Sequence, residues 1–188
     1  MRLFVAVDLS DEARQAMAAE QKRIAAALAG TQASLKWVRP EHMHLTLVFL
    51  GSVDEVRAPA VVDAMGRDVD AAPFDMVFDG VGVFPPRGEP RVLWTGVGPG
   101  AAEIVTLHRE LGQRAAALGI ALEERAFHPH LTLGRWRESR RQDRERALAA
   151  EGRDPIARVP VQRATLYESR LSPSGPTYTA LAHANLAR

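Results

Sequence analysis

Apolar residues from Arg2 to Leu9 alternate loosely and are rich in Val and Phe, which reads as a buried strand. Behind it, Ser10 offers an N-cap, and Asp11 and Glu12 fall in a first turn where the helix dipole favours acids. Ala13, Met17, Ile24 and Leu28 then recur at helical spacing until Gly30 stops the run. Leu35 to Val38 reads as a short strand, broken by Arg39-Pro40, and a third strand runs from His42 to Leu50. Asp54 to Asp70 reads as a weaker helix with Val56, Val61, Val62 and Met65 on its apolar face. Phe74 to Phe84 alternates as a half-buried strand, Pro85 to Pro90 is a loop, and Arg91 to Val97 is another strand. Ala101 to Leu118 is an amphipathic helix through Ile104, Leu107 and Leu111, with Gly119 as its cap. Arg135 to Arg146, with six arginines among three acids, predicts a solvated helix or loop. Ile156 to Tyr167 and Thr177 to Leu186 complete the strands, and Ser172-Pro173-Ser174-Gly175-Pro176 supplies the turn of a closing hairpin.

One stretch occurs twice. His42-Met43-His44-Leu45-Thr46-Leu47 returns 86 residues later as His128-Pro129-His130-Leu131-Thr132-Leu133, and the two hold four of the six histidines. Each copy is preceded by a strand, a helix and a linker, so the repeat is a supersecondary unit. Strands mixed with helices without strict alternation predict an α+β fold with antiparallel sheets. The expected architecture is two pseudo-symmetric lobes, each a sheet with helices on its outer face, around a central cleft. Strand alternation puts His44 and Thr46 on one face of the first copy, with Leu45, Leu47 and Phe49 on the other. In the second copy His130 and Thr132 oppose Leu131 and Leu133.

Composition narrows the picture. The 188 residues, 46% hydrophobic, suffice for one sizeable core, and the expectation is a single two-lobed domain over 1–188 with an internal duplication. A net charge of +1 gives no global field towards nucleic acid or membrane. All but two of the 24 basic residues are arginine, a skew in keeping with codon bias that still supplies forks suited to phosphate. The absence of cysteine excludes disulfides, thiolate metal sites and thiol nucleophiles. The opening apolar run is cut short by Asp8, and no segment approaches a membrane span, so a cytoplasmic location is expected.

An imidazole on each wall of a cleft suits a phosphate ester. One removes a proton from the nucleophile, while the other protonates the leaving oxygen. A reference pKa of about 6.5 makes both forms available near neutrality, and each transfer is worth ~10²–10⁴-fold in rate. The hydroxyls of Thr46 and Thr132 can donate to phosphoryl oxygens, although threonine is also a common strand former. Two other readings use the same residues. Two His-x-His pairs can make a four-histidine metal site, and a phosphate cleft without turnover would be an RNA-binding module. Phe4 and Trp94 read as core aromatics, and the arginines from Arg137 to Arg146 as a surface face.

The paired His-Leu-Thr-Leu motifs resemble the two-histidine phosphoesterase superfamily, and most closely its RNA 2′,3′-cyclic phosphodiesterases (LigT-like, ThpR-type). The opening strand Arg2 to Leu9, Val38-Arg39-Pro40-Glu41 before the first motif, Gly82-Val83-Phe84-Pro85 with Arg91 to Trp94, the run into Gly134-Arg135, and Leu171 to Tyr178 are each similar to the family's pattern. The resemblance implies metal-independent hydrolysis of a terminal 2′,3′-cyclic phosphate to a 2′-phosphomonoester, with no cofactor. By motif position His44 would be the general acid at the 3′ oxygen and His130 the base that activates water. Thr46, Thr132 and Arg135 would bind the phosphate. His42 stands where the family usually has a polar residue such as Asn, and inherits no catalytic role. The implied partners are RNA ends or nucleotides bearing the cyclic phosphate, tRNA fragments among the candidates, and a monomer acting away from membranes.

Overall fold

Leu3 to Val7 are buried without interruption in β1 (Arg2–Asp8), as befits a strand covered on both faces. The computed structural model describes all residues except 124, 151, 153, 154 and 174. From β1 the chain runs through α1 (Asp11–Ala27), β2 (Ser34–Trp37), a 3₁₀ turn (Pro40–His42), β3 (His44–Ser52), α2 (Ala58–Gly66), β4 (Phe74–Phe84) and β5 (Val92–Val97). Then follow α3 (Ala101–Ala117), β6 (His130–Glu138), α4 (Arg141–Ala149), β7 (Ala157–Val161), β8 (Arg163–Ser172) and β9 (Gly175–Asn185). Ser10 caps α1 as its sequence predicts, its hydroxyl accepting from the Ala13 N–H.

Two antiparallel sheets result, ordered β3-β1-β8-β9 and β2-β6-β5-β4-β7. They correspond strand for strand: β3 with β6 and β1 with β5, while β2 is an added edge. The helices change sides. α1 leaves the first sheet and lies against β7 of the second; α3 leaves the second sheet and lies against β3 of the first. One apolar cluster containing Ile24, Leu45, Leu107 and Leu131 therefore runs through both lobes. β3 and β6 meet at the seam between the sheets, which brings the repeated motifs together.

Four local expectations need correction. The second helix starts only at Ala58, because the Asp54 carboxylate accepts from the Arg57 N–H (2.8 Å) and binds its guanidinium (2.7 Å), which closes a turn first. Val56 consequently leaves the apolar face and is 89% exposed. Arg135 to Glu138 belong to β6 rather than to a solvated segment, and α4 begins where Asp143 takes the Arg140 N–H (2.7 Å). Within α4, Arg144 is an anchor: it donates to the Pro85 and Gly88 carbonyls (2.7 and 2.9 Å) and holds the proline-rich loop. Ile156 to Tyr167 is not one strand, since the chain leaves the second sheet at Val161 and enters the first at Arg163. Of the closing turn, Ser172 and Gly175 are joined through the Ser172 hydroxyl (2.8 Å), and Ser174 lies outside the described residues.

Each motif strand carries a β-bulge at the same place. Ala6 faces Thr46 while Val5 faces Val48, which leaves Leu47 extra; Trp94 faces Thr132 while Leu93 faces Gly134, which leaves Leu133 extra. A bulge inserts one residue and reverses the alternation beyond it. The cleft face thus reads His44, Thr46, Phe49 on β3 and His130, Thr132, Arg135 on β6. Phe49 is accordingly 53% exposed instead of facing the core as strict alternation would have it. The two strands have the same burial pattern, residue for residue.

Helices hold both bulges. His108 of α3 donates from Nδ1 to the Leu47 carbonyl (2.7 Å). Gln21 of α1 donates from its buried amide to the Leu133 and Val38 carbonyls (2.9 and 2.7 Å). Replacing Gln21 by Leu strips the Val38 carbonyl of its donor in an apolar setting, so Gln21→Leu should lose about 1–3 kcal/mol in urea unfolding. An unchanged midpoint would show that this amide does not support the second motif strand.

Candidate active site

The first turn of each motif strand orients its histidine in the same way. His44 Nδ1 lies 2.9 Å from the His42 carbonyl, and His130 Nδ1 lies 2.7 Å from the His128 carbonyl. A carbonyl oxygen only accepts, so Nδ1 carries the proton in both rings. The neutral tautomer is thereby set, and Nε2 is the nitrogen that gains or loses a proton. Neither Nε2 is engaged by another described residue.

Aromatic rings seat each imidazole. Phe4 stacks on His44 (centroids 4.8 Å apart), and the edge of Tyr178 meets it at 5.2 Å. On the other wall Phe84 lies edge-on to His130 (5.3 Å) and Trp94 lies at 6.0 Å. Phe84 also stacks on Trp94 (4.9 Å). Trp94 lies flat over β4 because residue 82 is glycine; a Cβ there would run into the indole. Phe4 and Trp94 are buried or half-buried, as their core reading anticipates, but they are packed on the cleft side against the motif histidines.

An acid acts on one of the two rings only. Asp8 is the cross-strand neighbour of His44. Its carboxylate is held by the Tyr167 hydroxyl (2.6 Å) and the Thr165 hydroxyl (2.8 Å). On the other wall, Arg135 shares the cleft face with His130, and among the described residues its guanidinium makes no ion pair. Burial lowers the pKa of His44 below the ordinary imidazole value; the His42 carbonyl and the Asp8 charge oppose it, while the His42 and Arg14 side chains add to it. Burial likewise lowers His130; the His128 carbonyl opposes that shift, but the His128 side chain and then Arg135 add to it. Burial raises Tyr178, against the opposing charges of Arg135 and Arg2. Tyr167 is raised strongly, by burial and then by its bond to Asp8.

All five residues singled out from the sequence thus lie on the two facing strands: His44 and Thr46 on one wall, His130, Thr132 and Arg135 on the other. Neither threonine hydroxyl is engaged by another described residue. The outer histidines contribute carbonyls, and their rings lie beside the inner pair: His42 against Tyr178 (5.5 Å), and His128 against Trp94 (4.9 Å) and 6.4 Å from the His130 ring. Among the described residues no three of His, Asp and Glu converge to hold a metal ion, so the four-histidine centre is not assembled. Sequence reasoning missed Asp8, Phe84, Tyr167 and Tyr178 around the site. Its signals were an acid closing an apolar strand and two tyrosines, the only ones in the chain, on the last two long strands.

Two antiparallel sheets thus carry a clamped histidine at the same position on each. The chain belongs to the LigT-like phosphoesterase family, whose model matches residues 7–94 and 97–178. It is 34% identical over 183 residues to an RNA 2′,3′-cyclic phosphodiesterase of Thermotoga maritima, covering 96% of this chain and 93% of the relative. A protein of the same name from Archaeoglobus fulgidus is 35% identical, covering 96% and 98%. The crystal structure of Escherichia coli LigT complexed with 3′-AMP superposes with a TM-score of 0.76 at 28% identity, covering 100% and 98% of the two chains.

The half-buried histidines imply an acid-sensitive fold. In the unfolded chain both imidazoles return towards the reference value near 6.5, so below it the unfolded state binds more protons and stability falls with pH. Urea midpoints measured from pH 7 down to 5 should decline, and less steeply in a His44→Gln/His130→Gln double variant. Parallel slopes would place the acid sensitivity elsewhere.

Proposed function

We propose that this chain hydrolyses terminal 2′,3′-cyclic phosphates on RNA or nucleotides to 2′-phosphomonoesters, using His44 as general acid and His130 as general base and requiring no metal. The observation that carries the reading is the paired Nδ1-to-carbonyl clamp, which presents one titratable Nε2 from each wall. Water attacks phosphorus as His130 Nε2 takes its proton. The bond from phosphorus to the 3′ oxygen breaks, and that oxygen receives the proton of His44 Nε2. Solvent then returns both rings to their starting forms.

The unlike charges support this direction of roles. Asp8 favours the protonated imidazole at His44, as an acid needs, and Arg135 favours the neutral one at His130, as a base needs. The hydroxyls of Thr46 and Thr132 and the guanidinium of Arg135 are donors for the phosphoryl oxygens, whose charge changes in the transition state. The names of the Thermotoga and Archaeoglobus relatives support the substrate class, and E. coli LigT has also been crystallised with phosphate. The same reading takes the chain as a monomeric, cytoplasmic, single-domain enzyme with an internal duplication, which the matched burial of β3 and β6 supports. Fragments of tRNA are among its candidate substrates.

Turnover of adenosine 2′,3′-cyclic phosphate should persist in EDTA. His44→Ala and His130→Ala should each lower kcat at least ~10²-fold with the fold retained, whereas His42→Ala and His128→Ala keep their backbone carbonyls and most activity. Loss in EDTA restored by zinc or manganese, or outer histidines as essential as the inner pair, would favour the metal centre.

The charged neighbours make a signed prediction. The free enzyme should give a bell-shaped kcat/KM profile with limbs below the reference value of about 6.5. Asp8→Asn should move the limb belonging to His44 further acid, and Arg135→Gln should move that of His130 upward while also lowering turnover. Limbs that stay fixed in both variants would remove these residues from the acid-base balance.

A further inference from the structure

Beside the His44 wall, between the 3₁₀ turn and the start of β9, a cavity of about 420 Å³ is lined by Arg39, Glu41, His42, Pro176, Thr177 and Tyr178. Its size falls within the range of about 300–1,000 Å³ typical of small-ligand sites. It adjoins the reaction centre through one residue, because the Tyr178 ring that edges His44 at 5.2 Å also meets the His42 ring at 5.5 Å. Arg39 spans it: a Cβ at Gly175 would stand 3.2 Å from the Arg39 guanidinium, so the side chain reaches from the 3₁₀ turn to the β8–β9 turn. The partner of Arg39 is Glu41 at 3.4 Å, and both side chains are more than half exposed. An ion pair of that kind is held weakly and yields readily to a better anion.

We propose that this cavity binds the nucleotide immediately 5′ of the cyclic-phosphate terminus, making the enzyme prefer RNA ends over mononucleotides; the proposal rests on the phosphodiesterase reading above. A terminal ribose whose 2′ and 3′ oxygens are both held at the histidines can continue the chain only through its 5′ oxygen. The next groups along that direction are a phosphate and a base. The cavity offers their counterparts: a guanidinium for the phosphate, the Thr177 hydroxyl as a further donor, and the Tyr178 and His42 rings as apolar surface for a base. Phosphate displaces Glu41 from Arg39 on binding.

The test compares kcat/KM for a diadenosine bearing a terminal 2′,3′-cyclic phosphate with that for adenosine 2′,3′-cyclic phosphate. Stacking of one base together with one phosphate contact should favour the dinucleotide about tenfold or more. Arg39→Ala should collapse this ratio towards one, and Glu41→Gln, which releases Arg39, should raise it. Arg67→Ala, on the outer side of the first lobe, should leave the ratio as in the parent. Equal values for the two substrates, or a ratio that Arg39→Ala does not change, would overturn the proposal while leaving the phosphodiesterase reading intact. Failure to turn over either substrate would sink that reading instead. Calorimetric binding of diadenosine 2′-phosphate against 2′-AMP, with the same variants, then decides the subsite by the same ratios.

Discussion

The hydrogen bond from a histidine Nδ1 to the carbonyl two residues earlier, made once on each wall, is the constraint on which the site depends. It selects the tautomer and restrains the ring, and it leaves Nε2 as the nitrogen that exchanges protons. Much of the surrounding fold keeps those two carbonyls and those two strands in place. The bulges set which residues follow the threonines into the cleft, and a helix side chain secures each bulge from behind. Because α1 and α3 each pack on the other lobe, neither wall can shift without disturbing a helix that begins in its partner.

Symmetry brings the histidines face to face, and departures from symmetry make them different. Beyond the shared His-x-Thr pattern, the residue re-aimed by the bulge is Phe49 on one wall and Arg135 on the other. Asp8 ends β1, whereas β5 ends at Val97 with no acid in the matching place. A backbone repeated with changed side chains thus yields one imidazole with a carboxylate to favour its protonated form and another with cationic neighbours alone. Acid-base catalysis of a displacement needs such inequality, since one ring has to begin protonated and the other free.

Legibility in the sequence followed the range of the interaction concerned. The helices α1 and α3 and the strands β1, β4 and β9 were readable because apolar period and caps are local. The site strands were readable because the motif is written twice. What failed depended on contacts across the fold. Val161 and Arg163 look like one strand, and only pairing with β4 and β1 assigns them to different sheets. Phe49 and Arg135 owe their direction to bulges that no local pattern announces. Asp54, by contrast, defeated the helix prediction locally, trading a longer helix for a turn closed by its own carboxylate. Asp8, Tyr167 and Tyr178 come together from opposite ends of the chain, which spacing alone cannot indicate.

The identity of the bond that breaks tests the central claim most directly, namely that the two clamped imidazoles stand in line with distinct roles. Adenosine 2′,3′-cyclic phosphate can be hydrolysed and its products separated as 2′-AMP and 3′-AMP, with synthetic standards for each. With His130 at the incoming water and His44 at the 3′ oxygen, the product should be predominantly 2′-AMP. Predominant 3′-AMP would contradict this orientation, even if both histidines proved indispensable.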